Sequence, residues 1–270
     1  MDNLSYQYLD HDFNPEKAGS YTLLLLADRD QFSFAVTVWG KPLLISDMLA
    51  WDVLNEPAAE NNFLYRDYHK RVIGLPDNGF TFIPVSIFDP GKVADFARFL
   101  DVKPTEKVFS QQLDAENQVI FKISENILAA FDHLDVNEIV FAPKGWITAI
   151  AGSNPPNENL YVNIRGSKLE ILNFRDGRLH FYNSFNFNNA DELVYFVSFV
   201  AGEMESSPES VTLILSGDIV LTDKNAVRLK EFFGNIALNK VTAMKLPKQF
   251  VSNSTLSLTA LSLCGSSEAR

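Results

Sequence analysis

Two stretches of this chain carry the same arrangement of strands and turns, and that repetition restricts the fold more than any other feature. In YTLLLLADRDQFSFAVTVWGKPLLIS (21–46), alternating apolar residues turn near Asp28–Asp30 and again at Gly40. In LYVNIRGSKLEILNFRDGRLHFYNSF (160–185), they turn at Gly166 and again at Gly177. Arg29 and Gly166 lie 137 residues apart, as do Gly40 and Gly177, and the same offset sets Phe32 and Phe34 on Leu169 and Ile171. Period-two alternation between glycine and aspartate turns specifies antiparallel strands. Each stretch therefore predicts a three-stranded meander, written twice.

The echo extends beyond the meanders. GFTFIPVSIFDPGKVADFARFL (79–100) predicts a strand, a loop and a helix, with Asp89 as cap and Pro90 where a missing N–H is harmless. SVTLILSGDIVLTDKNAVRLKEFF (210–233) has the same form, with Thr222 or Asp223 as cap, and Thr81 answers Thr212 at an offset of 131. Between these landmarks the pattern predicts helical segments around 47–74 and a hairpin over 107–123 turning at Asp114–Asn117. It also predicts a helix over 124–134 capped by Ser124, a strand over 138–142 and a helix over 143–151. In NNADELVYFVSFVAGEM (188–204), Asn188 or Asn189 caps a helix whose Leu193, Phe196, Val197, Val200 and Met204 form one apolar stripe, the pattern of a core helix. Strands over 211–216 and 240–246, a helix over 223–234 and a last helix near 254–264 complete the plan. GSNPPNEN (152–159) is rich in breakers and sets the expected boundary between domains 1–152 and 153–270. Meander, helix, strand and helix, twice over, is an α/β architecture.

Composition excludes several functions. With 23 basic and 34 acidic residues the net charge is −11, which repels phosphate backbones and anionic lipid, so neither nucleic acid nor a membrane surface is an expected partner. The single cysteine, Cys264, excludes an intramolecular disulfide and a cysteine-built metal site, and its apolar surroundings predict a buried structural thiol. His11, His69, His133 and His180 are scattered singly without metal-ligand spacing. No Walker-type loop, Gly-x-Ser-x-Gly or Gly-x-Gly-x-x-Gly is present. MDNLSYQYLDHDF carries no basic-then-apolar leader, and no apolar run approaches a membrane span, so a soluble cytoplasmic protein is expected. NEPAAENNFLYRDYHKR (55–71) admits two readings, an aromatic patch for a partner or an aromatic face packed on a sheet.

A meander followed by helix, strand and helix, duplicated in one chain, resembles the actin-like ATPase fold, built from two ribonuclease-H-like domains. That superfamily includes actin, sugar kinases, heat-shock chaperones and the actin-like proteins of pilus assembly and secretion. More closely, FTFIPVSIFDP (80–90), FYNSFNFNNADELVYFVSFV (181–200) and LILSGDI (213–219) resemble a bacterial family of unknown function with this fold. The resemblance implies where a nucleotide site would lie. In such ATPases the first strand of each half ends in an aspartate that organises metal and water, with a glycine two residues on that admits phosphate.

Here LYVNIRGS places Asn163 at the acid position and Arg165 at the glycine position, followed by Gly166 and Ser167. In the first copy, LLLLADRD places Leu26 or Ala27 at the acid position and Asp28 at the glycine position, and sliding the match to Asp28-Arg29-Asp30 still supplies no glycine. A neutral Asn163 holds a divalent cation more weakly than a carboxylate. Arg165 either grips an anion bidentately or belongs, with Gly166 and Ser167, to an ordinary turn. LSGD (215–218) keeps Gly217 of the superfamily's adenine-contacting glycine pair and replaces the second with Asp218. The resemblance thus implies a degenerate nucleotide site at Asn163, Arg165, Gly166, Ser167, Gly217 and Asp218, with no resident cofactor, ATP–magnesium being disfavoured, and no metal or catalytic residue named. The expectation is a non-catalytic protein that binds or scaffolds another protein. The alternative is a divergent ATPase or small-molecule kinase acting from the interdomain cleft.

Overall fold

Strands covered on both faces show unbroken apolar runs, and Leu23–Ala27 is such a run, with every side chain buried. The computed structural model describes residues 8–29, 31–55, 63–134, 136, 138–204, 210–247, 250 and 252–264. Two compact units emerge, Met1–Gly145 together with Leu258–Arg270, and Trp146–Ser257. The first unit contains strands β1 (Tyr8–Leu9), β2 (Thr22–Ala27), β3 (Gln31–Val38), β4 (Lys41–Ala50), β5 (Lys70–Leu75) and β6 (Phe80–Pro84). Helix α1 (Val93–Ala97), strands β7 (Glu106–Gln112) and β8 (Asn117–Ser124), helix α2 (Glu125–Phe131) and strand β9 (Glu138–Phe141) follow. Helix α3 (Pro143–Ala151) contains the division between the units. The second unit continues with β10 (Asn159–Arg165), β11 (Lys168–Arg175), β12 (Arg178–Asn186), α4 (Ala190–Glu203), β13 (Thr212–Gly217), α5 (Lys224–Lys230) and β14 (Asn235–Leu238). Helix α6 (Ser252–Thr259) and a 3-10 turn (Ala260–Leu263) bring the chain back into the first unit.

Both meanders form. The main sheet of the first unit runs β1-β4-β3-β2-β5-β9, and that of the second β12-β11-β10-β13-β14. Leaving β1 aside, the two orders are the same. In each, the first meander strand pairs antiparallel with the second and parallel with a later strand, β2 with β5 and β10 with β13. Both second hairpins close through two residues of positive φ, Trp39 (50°) with Gly40 (72°) and Asp176 (54°) with Gly177 (76°). That backbone matches the twist of the flanking strands.

Three expectations change. The described residues of 47–74 form no α-helix: β4 runs to Ala50, short 3-10 turns cover Trp51–Asn55 and Phe63–Tyr65, and β5 enters the main sheet beside β2. Arg71 to Leu75 are all buried, so β5 lacks the alternation that marks a half-exposed strand. The counterpart of β13 is therefore β5, and the echo between 79–100 and 210–233 pairs segments with different places in the fold. β6 joins a separate three-stranded sheet, β6-β8-β7, whose Ile83 and Ile120 pack with Ala97 of α1. At the other end, 240–246 forms no strand, and the edge strand is β14, paired from Thr212↔Asn235 onward.

Local chemistry fixes most element boundaries. The Asn189 side chain accepts from the N–H groups of Asp191 and Glu192 to start α4. Asp223 caps α5 through Ala226 N–H, and Asp89 accepts from Gly91 N–H ahead of α1. Asp114 turns the β7–β8 hairpin by accepting from the N–H groups of Glu116 and Asn117, both at 2.8 Å. The core of the second unit joins Leu193, Val197 and Val200 of α4 to Val162, Ile164, Leu169 and Ile171 of the meander. Phe63, Leu64 and Tyr68 are buried, so this part of 55–71 packs inward, and residues 56–62 lie outside the described residues.

Candidate functional site

Ligands of open α/β sheets bind beyond the carboxyl ends of the strands, and in the second unit β10 and β13 end side by side. Their parallel register sets Asn163 beside Ser216 and Ile164 beside Gly217. The β10–β11 turn and the exit from β13 therefore meet, which gathers Asn163, Arg165, Gly166, Ser167, Gly217 and Asp218 into one place.

Within it, the polar groups serve one another. Asn163 is 1% exposed and donates through Nδ2 to Glu170 Oε2 (2.6 Å) and to Ser257 Oγ (3.2 Å). Glu170, directly opposite on β11, also accepts from the Tyr182 hydroxyl (2.8 Å) and has Lys168 Nζ at 3.6 Å. Arg165 ends β10 and is buried, not extended into solvent. Gly166, at φ 55°, donates its N–H to Asp218 Oδ2 at 3.2 Å. Ser167 is exposed, and its carbonyl accepts from Phe187 N–H. Asp218 ties both strand ends together, since its own N–H donates to Ile164 O at 2.7 Å.

Gly217 has a structural reason to be glycine. Its φ is 87°, and an added Cβ would sit 2.0 Å from Ile164 O and 2.8 Å from Asn163 Oδ1. The Asn163 oxygen accepts no hydrogen bond and packs against this bare Cα. Asn253 of α6, 3% exposed, donates to Gly217 O and Ile219 O and so holds the exit of β13 in place. Glu170, Tyr182, Asn253 and Ser257 are the members that motif reading missed. Glu170 alone carried a signal, because a two-residue turn at Gly166-Ser167 puts it opposite Asn163.

The last two positions of the corresponding strand in the first unit, Leu26 and Ala27, are apolar and carry no acid. Both are 4% exposed, and Asp28, the next residue, accepts from the neighbouring Arg29 N–H. Asp30 lies outside the described residues. Elsewhere, Asp10, His11 and Asp12 bring three ligand-type atoms within 4.8 Å. Lys41 Nζ already stands 3.0 Å from both Asp10 Oδ2 and Asp12 Oδ2, so the cation there is the protein's own.

A family model described as "Protein of unknown function (DUF3822)" matches residues 10–236. The chain belongs to this family. The DUF3822 chain superposes on a Bacteroides thetaiotaomicron VPI-5482 protein described as having an actin-like ATPase fold and unknown function, with a TM-score of 0.74 and 18% identity over 93% of this chain and 98% of that one. It is also similar to a chain of a PilM–PilN type IV pilus biogenesis complex (TM-score 0.54, 11% identity, 90% and 98% covered). A third likeness is to the ethanolamine utilization protein EutJ from Carboxydothermus hydrogenoformans (TM-score 0.50, 8% identity, 91% and 90% covered). No curated protein matches the sequence. The DUF3822 fold is thus the actin-like ATPase fold, as the two meanders implied. Among the described residues no helix is long and apolar enough to cross a membrane.

Proposed function

We propose that this chain is a non-catalytic actin-like protein that acts by binding another protein. One observation carries the reading: the Asp218 carboxylate takes the Gly166 N–H, an amide that a phosphate would need. A phosphate arriving there must displace an anion and then remain near it. Two unit charges 4 Å apart repel by about 1 kcal/mol in water and about 4 kcal/mol at an effective dielectric near 20. For a doubly charged phosphate the contribution of Asp218 taken alone is about 2 kcal/mol in water, or roughly thirtyfold in affinity. The acid position is neutral Asn163, and the nearest buried carboxylate, Glu170, is held by Asn163, Tyr182 and Lys168.

The likeness to a chain of the PilM–PilN complex supports a protein as the partner. The net charge of −11 weighs against nucleic acid, and a cytoplasmic setting suits both features. The shared strand order supports an origin by internal duplication.

The test is calorimetry and phosphate release with ATP–magnesium. We expect no metal-dependent release and no dissociation constant below about 1 mM. Glu170 and Asp218 are still carboxylates at one strand end, which keeps a divergent ATPase or small-molecule kinase as the rival. Magnesium-dependent release abolished by Asp218→Asn or Glu170→Gln would establish that rival.

A further inference from the structure

The two matching hairpins differ at one residue in a way that the fold does not require. In the second unit the turn is Asp176-Gly177, and aspartate suits it: Asp176 exchanges two hydrogen bonds with Asn157, at 2.9 and 3.0 Å. Asparagine, aspartate and glycine tolerate the left-handed backbone that such turns need. At the same offset the first unit has Trp39-Gly40, with Trp39 at φ 50° and 99% exposed. Tryptophan is among the residues least suited to that backbone, and here its indole covers no part of its own unit. A bulky side chain held in an unfavourable conformation, and fully in water, points to a use outside the chain.

We infer that Trp39 is a docking anchor for a partner protein that offers an apolar slot for the indole and basic side chains around it. This rests on the protein-binding reading above and names its surface. Tryptophan leads the residues that dominate interface energetics, because it buries a large rigid area. The charge beside it selects the occupant. Lys41, the next strand residue, is shared by Asp10 and Asp12, which leaves one carboxylate in excess beside the exposed His11 side chain. With −11 on the whole chain, an anionic lipid surface and a second copy of the same chain are both repelled, whereas a basic rim is attracted.

The experiment introduces benzoylphenylalanine, a photo-crosslinker that keeps a large aromatic side chain for the slot, at position 39 in cells of the native host, with the same substitution at Asp176 as internal control. The crosslinked protein is identified, purified and titrated against wild type and Trp39→Asn. Asparagine suits the turn, so this variant keeps its fold, which circular dichroism verifies. We expect a crosslink from 39 and none from 176. Affinity for the purified partner should fall about thirtyfold or more in Trp39→Asn, and wild-type affinity should weaken as salt rises from 50 to 500 mM. The inference is overturned by no crosslink at 39, by a crosslink to another copy of this chain, or by an affinity loss below threefold. Flotation with phosphatidylglycerol vesicles that depends on Trp39 overturns it in favour of a membrane. A partner crosslinked only from exposed Phe99 or Tyr195 overturns this surface and leaves the protein-binding reading intact. Magnesium-dependent ATP turnover overturns that reading and not the anchor.

Discussion

Gly217→Ala separates a glycine kept for backbone reasons from one kept for a nucleotide. The new Cβ would lie 2.0 Å from Ile164 O, well inside an ordinary contact of 3.4 Å or more, and the obstacle is backbone on a paired strand. Relief requires β10 and β13 to part at their last rung, Ile164↔Gly217, with loss of the 2.7 Å bond from Asp218 N–H to Ile164 O. A non-glycine residue forced to φ 87° is strained by about 1–3 kcal/mol, and one or two lost hydrogen bonds add about 1 kcal/mol each. The expected loss is about 2–5 kcal/mol, a large share of the roughly 5–15 kcal/mol that holds a typical domain. Urea titration followed by circular dichroism should show the midpoint falling by more than about 1 M. Gly166→Ala is the matched control, since φ is 55° there and nothing lies within 4 Å of an added Cβ. That change should lose only about 1 kcal/mol. If Gly217→Ala loses less than 1 kcal/mol, or no more than Gly166→Ala, the steric account of this glycine is wrong.

Three further outcomes are expected. Glu106 and Lys122 form an ion pair at 2.8 Å with side chains 6% and 7% exposed, so Glu106→Gln should destabilise by about 3–5 kcal/mol, and adding Lys122→Met should recover more than half of that in chemical denaturation. The Lys103 N–H, then Lys122 and Asn78, hold the Glu106 carboxyl down to about 2 against its burial. Its stabilisation is therefore complete above about pH 5 and lost as the pH falls toward 2. Melting temperatures across that range should fall more steeply in wild type than in Glu106→Gln. Burial pushes the Cys264 thiol up to about 12, leaving roughly one thiolate in ten thousand at pH 8. Ellman's reagent should leave the folded protein unmodified for hours and titrate one thiol in denaturant, and labelling of native protein within minutes would contradict this.

The sequence made legible whatever depended on local pattern. Turns at Gly40, Gly166 and Gly177 set both meanders, and Asn189, Asp223, Asp89 and Asp114 marked boundaries through short-range hydrogen bonds. Sheet membership was not legible. FTFIP at 80–84 alternates as a strand should, but alternation does not say which sheet receives it, and β6 pairs with β8. Lys70–Leu75 was obscure because burial on both faces erases alternation. KVTAMKL (240–246) has a strand-like pattern, yet parallel pairing with β13 is satisfied earlier, at Asn235–Leu238. At the candidate site, the positions followed from motif spacing, whereas their partners depended on tertiary contacts. That Asp218 would cap Gly166, or that Ser257 would reach Asn163 across 94 residues, follows from no local rule.

The return of residues 258–264 to the first unit bears on how the protein is made. Leu261 packs on Gly74, and Ala260 lies so close to Gly145 that a Cβ there would be 2.6 Å from the Ala260 carbonyl. The ribosome therefore delivers the opening half of the polypeptide with a gap that only a much later segment fills. At about 5–20 residues per second, synthesis of Trp146–Ser257 holds that gap open for roughly 10 s. During this interval the nascent first unit exposes apolar surface around Gly74, the place where a chaperone would find it.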